Sequence, residues 1–359
     1  MRGGELVPKG ASKAVRLLLV CPSWGRPCGI ASYTAYLSAG LAAHGVASDV
    51  ATSPAAVQRY LTDNRYDGIL LQHEYGLYYF NLVAFLTLAD RTGLPFIITM
   101  HNSDNRGWMG AQHLFLFNTR ARFVVHSEAA CRNVLAAQPR LDPSRIHIVP
   151  MGSPDWTPQF GEPTHVRGEM GLDPHKFAVG FFGFAARHKG IPNLVQALLM
   201  LPDVEGFIGA SVHPTNPLAV DDIYRQCGIP RPSPSLNRHA NVTFSHERIP
   251  DDKIGRYQNA MDVIILPYSM HGASVSTSMM AHEALAAHRP VIVTDVVYFS
   301  DLHDEVFKIP SNEPPVIAQA IARLRDDPGL RATLSERAAA YARQSSWPAV
   351  AGRYLDLLR

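Results

Sequence analysis

The 359-residue chain has little charge, few cysteines and no long apolar run, and each shortage excludes a class of function. Only 18% of its residues are charged, and 33 Lys and Arg against 31 Asp and Glu leave a net charge of +2. Such a balance demands neither nucleic acid nor an anionic membrane surface as partner. No stretch approaches the roughly 18 apolar residues of a membrane-crossing helix. Met1 to Lys13 is polar and lacks the apolar centre of a secretory signal. It reads as a flexible tail, and the chain as cytoplasmic, with peripheral membrane attachment left open. The cysteines, Cys21, Cys28, Cys131 and Cys227, form no CxxC pair and no zinc-type spacing, as expected of reduced thiols. His73-Glu74 lacks the second histidine of HExxH, and the phosphate-loop pattern GxxxxGK[ST] is missing. Gly25 to Gly29 is not GxGxxG, so a nicotinamide dehydrogenase is disfavoured, and Gly272–Ser276 lacks the closing glycine of a nucleophile elbow.

What is present is apolar and periodic. Hydrophobic residues make up 47% of the chain, ample for a core in each of two ordinary domains. Val15 to Cys21 is an apolar run without alternation, the pattern of a strand buried on both faces. Similar runs recur at 68–71, 95–100, 122–126 and 146–149, separated by helical segments that begin with 32–43. The stretch 150–174 holds five prolines and four glycines and breaks the pattern, as a domain boundary does. Strands at 177–182, 206–209, 242–244, 263–266 and 290–294 then alternate with helices at 191–201, 253–260 and 278–287, before three closing helices. This alternation predicts an α/β chain of two Rossmann-like, doubly wound parallel-sheet domains in tandem. In such sheets ligands lie outside the carboxyl ends of the strands.

Five segments fall at those ends. Gly25 to Ala31, with Gly29, leads into a helix, where a structural turn and a ligand loop fit equally. Gln72-His73-Glu74-Tyr75-Gly76 sets polar groups beside Tyr78, an arrangement suited either to stacking on a sugar or to core packing. His101 follows another buried strand, where an imidazole can bond a reacting hydroxyl. Gly183 to Gly190 carries Arg187 and Lys189 at a strand–helix turn, a cationic pair suited to a diphosphate. Ser274, Ser276, Thr277 and Ser278 precede a helix whose first turns offer N–H groups to an anion. Glu283 stands on the apolar part of that helix and needs partners, which vicinal ribose hydroxyls would supply.

In this order the segments resemble the family-four retaining glycosyltransferases of the GT-B fold, over most of the chain from about residue 15. Thr99-Met-His101, Gly183 with Lys189-Gly190, Glu283-Ala284 with Pro290-Val-Ile292, and Ser346-Trp347 carry the resemblance. Gln72 to Gly76 looks like a segment of one branch of that family. Two departures stand out. Phe184 occupies the usual Arg position of the diphosphate loop, so Arg187 is expected to substitute, and Val275 stands where the family carries a first glutamate that contacts the donor sugar.

The resemblance implies domains at 1–155 for the acceptor and 156–345 for the nucleotide sugar, with helix 346–359 packed back on the first. It implies retaining transfer of a hexosyl unit from a UDP- or GDP-linked sugar to a hydroxyl of a glycan, lipid-linked sugar or small molecule. His101, Arg187 and Lys189 would be catalytic, and Gly29, Gly183, Ser274, Ser276, Thr277, Ser278 and Glu283 would join Arg187 and Lys189 in holding the donor. His73, Glu74, Tyr75, Tyr78 and Trp108 would hold the acceptor. With two cations available and no DxD-like carboxylate pair at a predicted strand end, no metal or cofactor is expected. A nucleotide-sugar epimerase and a catalytically silent sugar-nucleotide binder are the alternatives.

Overall fold

Buried on both faces, the apolar runs form parallel strands whose residues alternate between two cores. In β1 (Arg16–Val20), Leu17 and Leu19 join one hydrophobic cluster while Leu18 and Val20 join another on the opposite face. The computed structural model describes residues 15–104, 108–212, 218–229, 236–270 and 275–359, with the side chains of 108 and 236 excepted.

The first domain continues with α1 (Gly29–Ala43), β2 (Ala47–Ala51), α2 (Pro54–Asp63), β3 (Gly68–His73), α3 (Leu82–Arg91), β4 (Phe96–Met100), α4 (Trp108–Leu116), β5 (Arg122–Val125), α5 (Glu128–Ala137) and β6 (Ile146–Ile148). The second domain starts with α6 (Pro163–Glu169), β7 (Phe177–Phe184), α7 (Ile191–Leu199), β8 (Val204–Ser211), α8 (Ala219–Gln226), β9 (Leu236–His239) and β10 (Val242–Ser245). It goes on through α9 (Ile254–Asn259), β11 (Val263–Leu266), α10 (Met279–Ala286), β12 (Val291–Thr294), β13 (Phe307–Ile309), α11 (Pro314–Asp326) and α12 (Pro328–Gln344), and α13 (Trp347–Leu358) closes the chain.

The six-stranded sheet has the order β2-β1-β3-β4-β5-β6, and the seven-stranded sheet the order β13-β12-β11-β7-β8-β10-β9. All pairings are parallel except that of β9 with β10. The strands that the pattern misses, β2, β9 and β13, all lie at sheet edges. An edge strand pairs on one side only and tolerates polar residues such as those of Ala47-Ser-Asp-Val-Ala51, so its apolar signal is weak. Within the proline-rich 150–174 stretch, Pro163 opens α6 instead of breaking structure, because proline costs nothing in a first turn.

Helix α13 lies on α1 and the first sheet. Its Tyr354 hydroxyl is 2.9 Å from that of Tyr33 and 2.8 Å from Thr99 Oγ1, all buried. The close approach of the two helices depends on Gly40: a Cβ there would sit 2.4 Å from the Trp347 carbonyl oxygen. Just before α13, Ser153 donates its N–H to the Ser345 carbonyl at 2.8 Å, so the two segments that cross between the domains run side by side.

Candidate functional site

In each sheet the chain winds outward in one direction from a central strand and then returns to the strand's other side. The switch falls between β1 and β3 in the first domain and between β7 and β11 in the second. A crevice opens at the carboxyl ends of such strand pairs. Here the two crevices face one another, and a cavity of ≈ 300 Å³ lies between them, lined from both domains. The first domain contributes Cys28, Gly29, Ser32 and Tyr36 from the start of α1. The second contributes Gly183, Phe184, His188, Lys189, Tyr268, Ser276 to Met280, Glu283 and Tyr298, with Glu247, Arg248 and Asp251 at one side.

Lys189 is carried by a 3-10 turn, Arg187–Lys189, after β7. Gly190 ends that turn at φ +68°, and a Cβ on it would lie 2.0 Å from the Pro267 carbonyl oxygen. Only glycine allows that contact, which presses the loop after β7 against the loop after β11. Ser269 N–H donates to the His188 carbonyl at 2.7 Å across the same seam. The ammonium of Lys189 consequently sits over the Tyr268 ring, 3.8 Å from its centroid. Burial lowers its pKa from 10.5 to about 7. His188, stacked on Tyr298, is held down to about 4 by burial first and by the nearby Lys189 charge second, so it stays neutral at pH 7.

Opposite, α10 follows Ser278, which supplies no side-chain cap. The Ser278 N–H donates to the Tyr298 carbonyl at 3.1 Å and the Ala281 N–H to the Ser278 carbonyl at 3.0 Å, which leaves the Met279 and Met280 N–H groups for an anion in the cavity. One turn on, Glu283 is 7% exposed. Its backbone carbonyl accepts from Trp156 Nε1 at 3.2 Å, but among the described residues its carboxylate takes no hydrogen bond. Burial, reinforced by Asp251 and partly offset by Arg248, raises its pKa to about 8. A cation of low pKa and a partnerless carboxylate of high pKa thus share one cavity, the kind of perturbed pair that marks ligand sites.

The structure brings Gly29, Gly183, Lys189, Ser276, Thr277, Ser278 and Glu283 together around this space. Arg187 does not join them. It is exposed and lines a separate cavity of ≈ 340 Å³ with Asp222, Arg225 and Gln226. In a 3-10 turn successive side chains diverge by about 120°, so the two cations of Arg187-His-Lys189 cannot face the same way. His101 is set back from the cavity. Its Nε2 is 3.0 Å from Gln72 Oε1, its ring meets the Tyr33 ring edge-on at 4.6 Å, and burial holds it neutral.

The expected acceptor patch is also corrected. His73, Tyr75 and Tyr78 are 0% exposed and offer no surface to a sugar. His73 Nε2 lies 3.0 Å from Gln112 Oε1, the Tyr75 hydroxyl donates to the Asp104 carbonyl, and Tyr78 packs against Phe85. Because β3 is a central strand, the residues at its end turn under the rim. Glu74 caps the following turn by accepting the Gly76 N–H at 2.8 Å. Ser274 and the Trp108 side chain lie outside the described residues. Val275 turns away from the cavity: its side chain packs on the first domain's core and its carbonyl accepts from Ser103.

Sequence reasoning missed the aromatic enclosure of the cation, formed by Tyr268, Tyr298 and His188, and missed Tyr36 on the facing helix. Tyr268 directly follows β11 and could have been found by its position; Tyr298 and Tyr36 carry no such signal. Among the described residues, no three His, Cys, Asp or Glu side chains are grouped to hold a metal ion, and no helix is long and apolar enough to cross a membrane.

Residues 224–327, which include α10 and Glu283, match the family model of glycosyl transferases group 1. The D-inositol 3-phosphate glycosyltransferase of Xylanimonas cellulosilytica is 26% identical over 230 residues, 60% of this chain and 51% of that protein. The chain spans about half the length of the curated relatives that it matches. Among solved structures, Anabaena Alr3699/HepE in complex with UDP and glucose superposes with a TM-score of 0.74 at 16% identity, covering 96% of this chain and 99% of that one. Sucrose-phosphate synthase from Thermosynechococcus elongatus gives a TM-score of 0.74 at 17% identity, covering 96% and 98%. The chain shares the two-domain GT-B fold of these structures, and its residues 224–327 match the glycosyl transferases group 1 model.

Proposed function

We propose that this chain, with its glycosyl transferases group 1 domain, moves a hexosyl unit from a nucleotide-diphosphate sugar to an acceptor hydroxyl with retention at the anomeric carbon. The observation that carries the reading is the cavity between the switch points, with Lys189 and the uncapped start of α10 on one side and the partnerless Glu283 carboxylate on another. Residues 156–345 would hold the donor. Residues 1–155, with 346–359 packed on them, would present the acceptor. Glu283 would accept hydrogen bonds from two ribose hydroxyls, each relieving the cost of its burial. Lys189 and the first-turn amides of Met279 and Met280 would face the diphosphate.

In the reaction the bond from the anomeric carbon to the diphosphate oxygen breaks, and a bond from the acceptor oxygen to that carbon forms on the same face. The acceptor's proton passes to an oxygen of the departing phosphate. Charge grows on the diphosphate as the bond breaks, and Lys189, desolvated over the Tyr268 ring, opposes that charge more strongly there than it would in bulk solvent. With a cation and helix amides in this role, the transfer needs no divalent ion. His101 stands behind the rim and would act on the donor's sugar end through the loop that it begins. The resemblance in fold to a protein solved with UDP and glucose supports a uridine donor over a guanosine one.

Thermal-shift measurements with UDP, GDP, ADP and dTDP are the direct test, followed by NMR of products from the matching donor and an acceptor panel. Stabilisation by one nucleoside diphosphate and an α-linked product from an α-linked donor are expected. Absence of stabilisation by any of the four, or donor turnover without an acceptor, would refute the assignment.

A further inference from the structure

The loop after β4, residues 101–104, does not line the cavity, yet it is tied on several sides. From below, the buried Tyr75 hydroxyl donates to the Asp104 carbonyl. From α5, Asn133 Nδ2 donates to the Ser103 carbonyl. Inside the loop, Asn102 Oδ1 accepts the Asp104 N–H at 2.9 Å. Across the cleft, Ser103 donates twice to one acceptor of the other domain: its N–H to the Val275 carbonyl at 3.0 Å and its hydroxyl to the same oxygen at 3.1 Å. Asn102 and Ser276 form an antiparallel bridge beside this pair, and the Val275 side chain packs on the first domain's core. Ser103 itself is 0% exposed.

These contacts belong to opposite sides of the cleft. The segment that directly follows Val275, Ser276 to Ser278, lines the cavity and leads into α10. Buried backbone donors and acceptors left unpaired are costly, so the 275–276 strap cannot leave the first domain without losing both Ser103 bonds and exposing Val275. We propose that Ser103 is a positioning residue for the donor: it stitches the strap to the first domain and so fixes the Ser276–Ser278 segment, which lines the cavity and sets the start of α10. Tyr75 acts one step behind it by holding Asp104. The buried Tyr75 of the Gln72–Gly76 segment thus serves the donor site through this loop, and the Val275 side chain anchors the strap on the first domain's core. The inference rests on the donor reading of this cavity for its kinetic arm, but not for its structural arm.

The structural arm is hydrogen exchange without any ligand. Ser103→Ala removes the hydroxyl bond and adds no bulk; Tyr75→Phe removes the support of Asp104. Both are expected to speed exchange in a peptide spanning 275–279 by about 3- to 10-fold while β4 and β5 stay protected. Unchanged exchange in that peptide overturns the tether, whatever the enzyme's substrate. The kinetic arm measures donor and acceptor saturation separately. A mispositioned strap raises the donor KM about 5- to 10-fold with acceptor KM and Tm unchanged, whereas a merely structural loss lowers Tm and the apparent kcat together. Wild-type donor KM in Ser103→Ala, or a loss confined to kcat, refutes the positioning role. If wild-type protein binds no nucleotide sugar, the functional reading fails, and the exchange result still decides the tether.

Discussion

Donor affinity should pass through a maximum near pH 7.5, because the two groups proposed to grip the donor titrate in reverse order. Lys189 must be charged to meet the diphosphate, but burial lowers its pKa to about 7, so its charge is lost as pH rises. Glu283 must be ionised to accept from two hydroxyls, but burial raises its pKa to about 8, so its charge is lost as pH falls. With those values, at pH 7.5 about a quarter of each group is in the binding form, and roughly 6% of molecules hold both. Two pH units to either side that fraction falls about twentyfold. An intact nucleotide-diphosphate sugar is the ligand to use, since its phosphates are diesters and keep their charge across this range.

Calorimetry in buffers of different ionisation enthalpy checks the mechanism as well as the affinity. Below pH 7.5 binding should release protons, as Glu283 ionises; above it binding should take protons up, as Lys189 becomes charged. Lys189→Arg should flatten the alkaline side and Glu283→Gln the acid side. The folded chain pays for holding both groups away from their ordinary values, up to about 5 kcal/mol each, and part of this returns on binding. Affinity independent of pH between 5.5 and 9.5 (about two units each way), or proton exchange of one sign throughout, would refute the reasoning.

Other outcomes separate the roles within the site. Lys189→Ala should lower kcat/KM by about 100- to 1000-fold, while Arg187→Ala, which alters a different cavity, should stay within about twofold of wild type in the same assay. Equal losses would place Arg187 back at the diphosphate. Activity should persist in excess chelator, and loss restored only by a divalent ion would disprove the metal-free transfer. Gly190→Ala should cost more than about 2 kcal/mol in chemical denaturation, because the new Cβ would collide with the Pro267 carbonyl at a left-handed backbone position; an unchanged midpoint would contradict the close approach.

Much of this was legible in residue order. Unbroken apolar runs, spaced by helical segments, were enough for two parallel sheets, because strands covered on both faces admit only apolar side chains. The rule that ligands gather at strand carboxyl ends then pointed to Gly29, Gly183, Lys189 and Glu283, all of which line the cavity. The edge strands β2, β9 and β13 escaped notice because pairing on one side relaxes that demand. Residue order could not tell Lys189 from Arg187, two positions apart, since the direction of a side chain in a tight turn depends on dihedral angles and on what presses against them. Nor could it tell a cleft-facing Tyr75 from a buried one. Only the tertiary structure decided that Gln72, His73 and Tyr75 lie beneath the rim, that Val275 faces the first domain, and that Ser103 reaches across to hold it. These are contacts between residues far apart in sequence, and their cost or gain depends on burial, which no local pattern records.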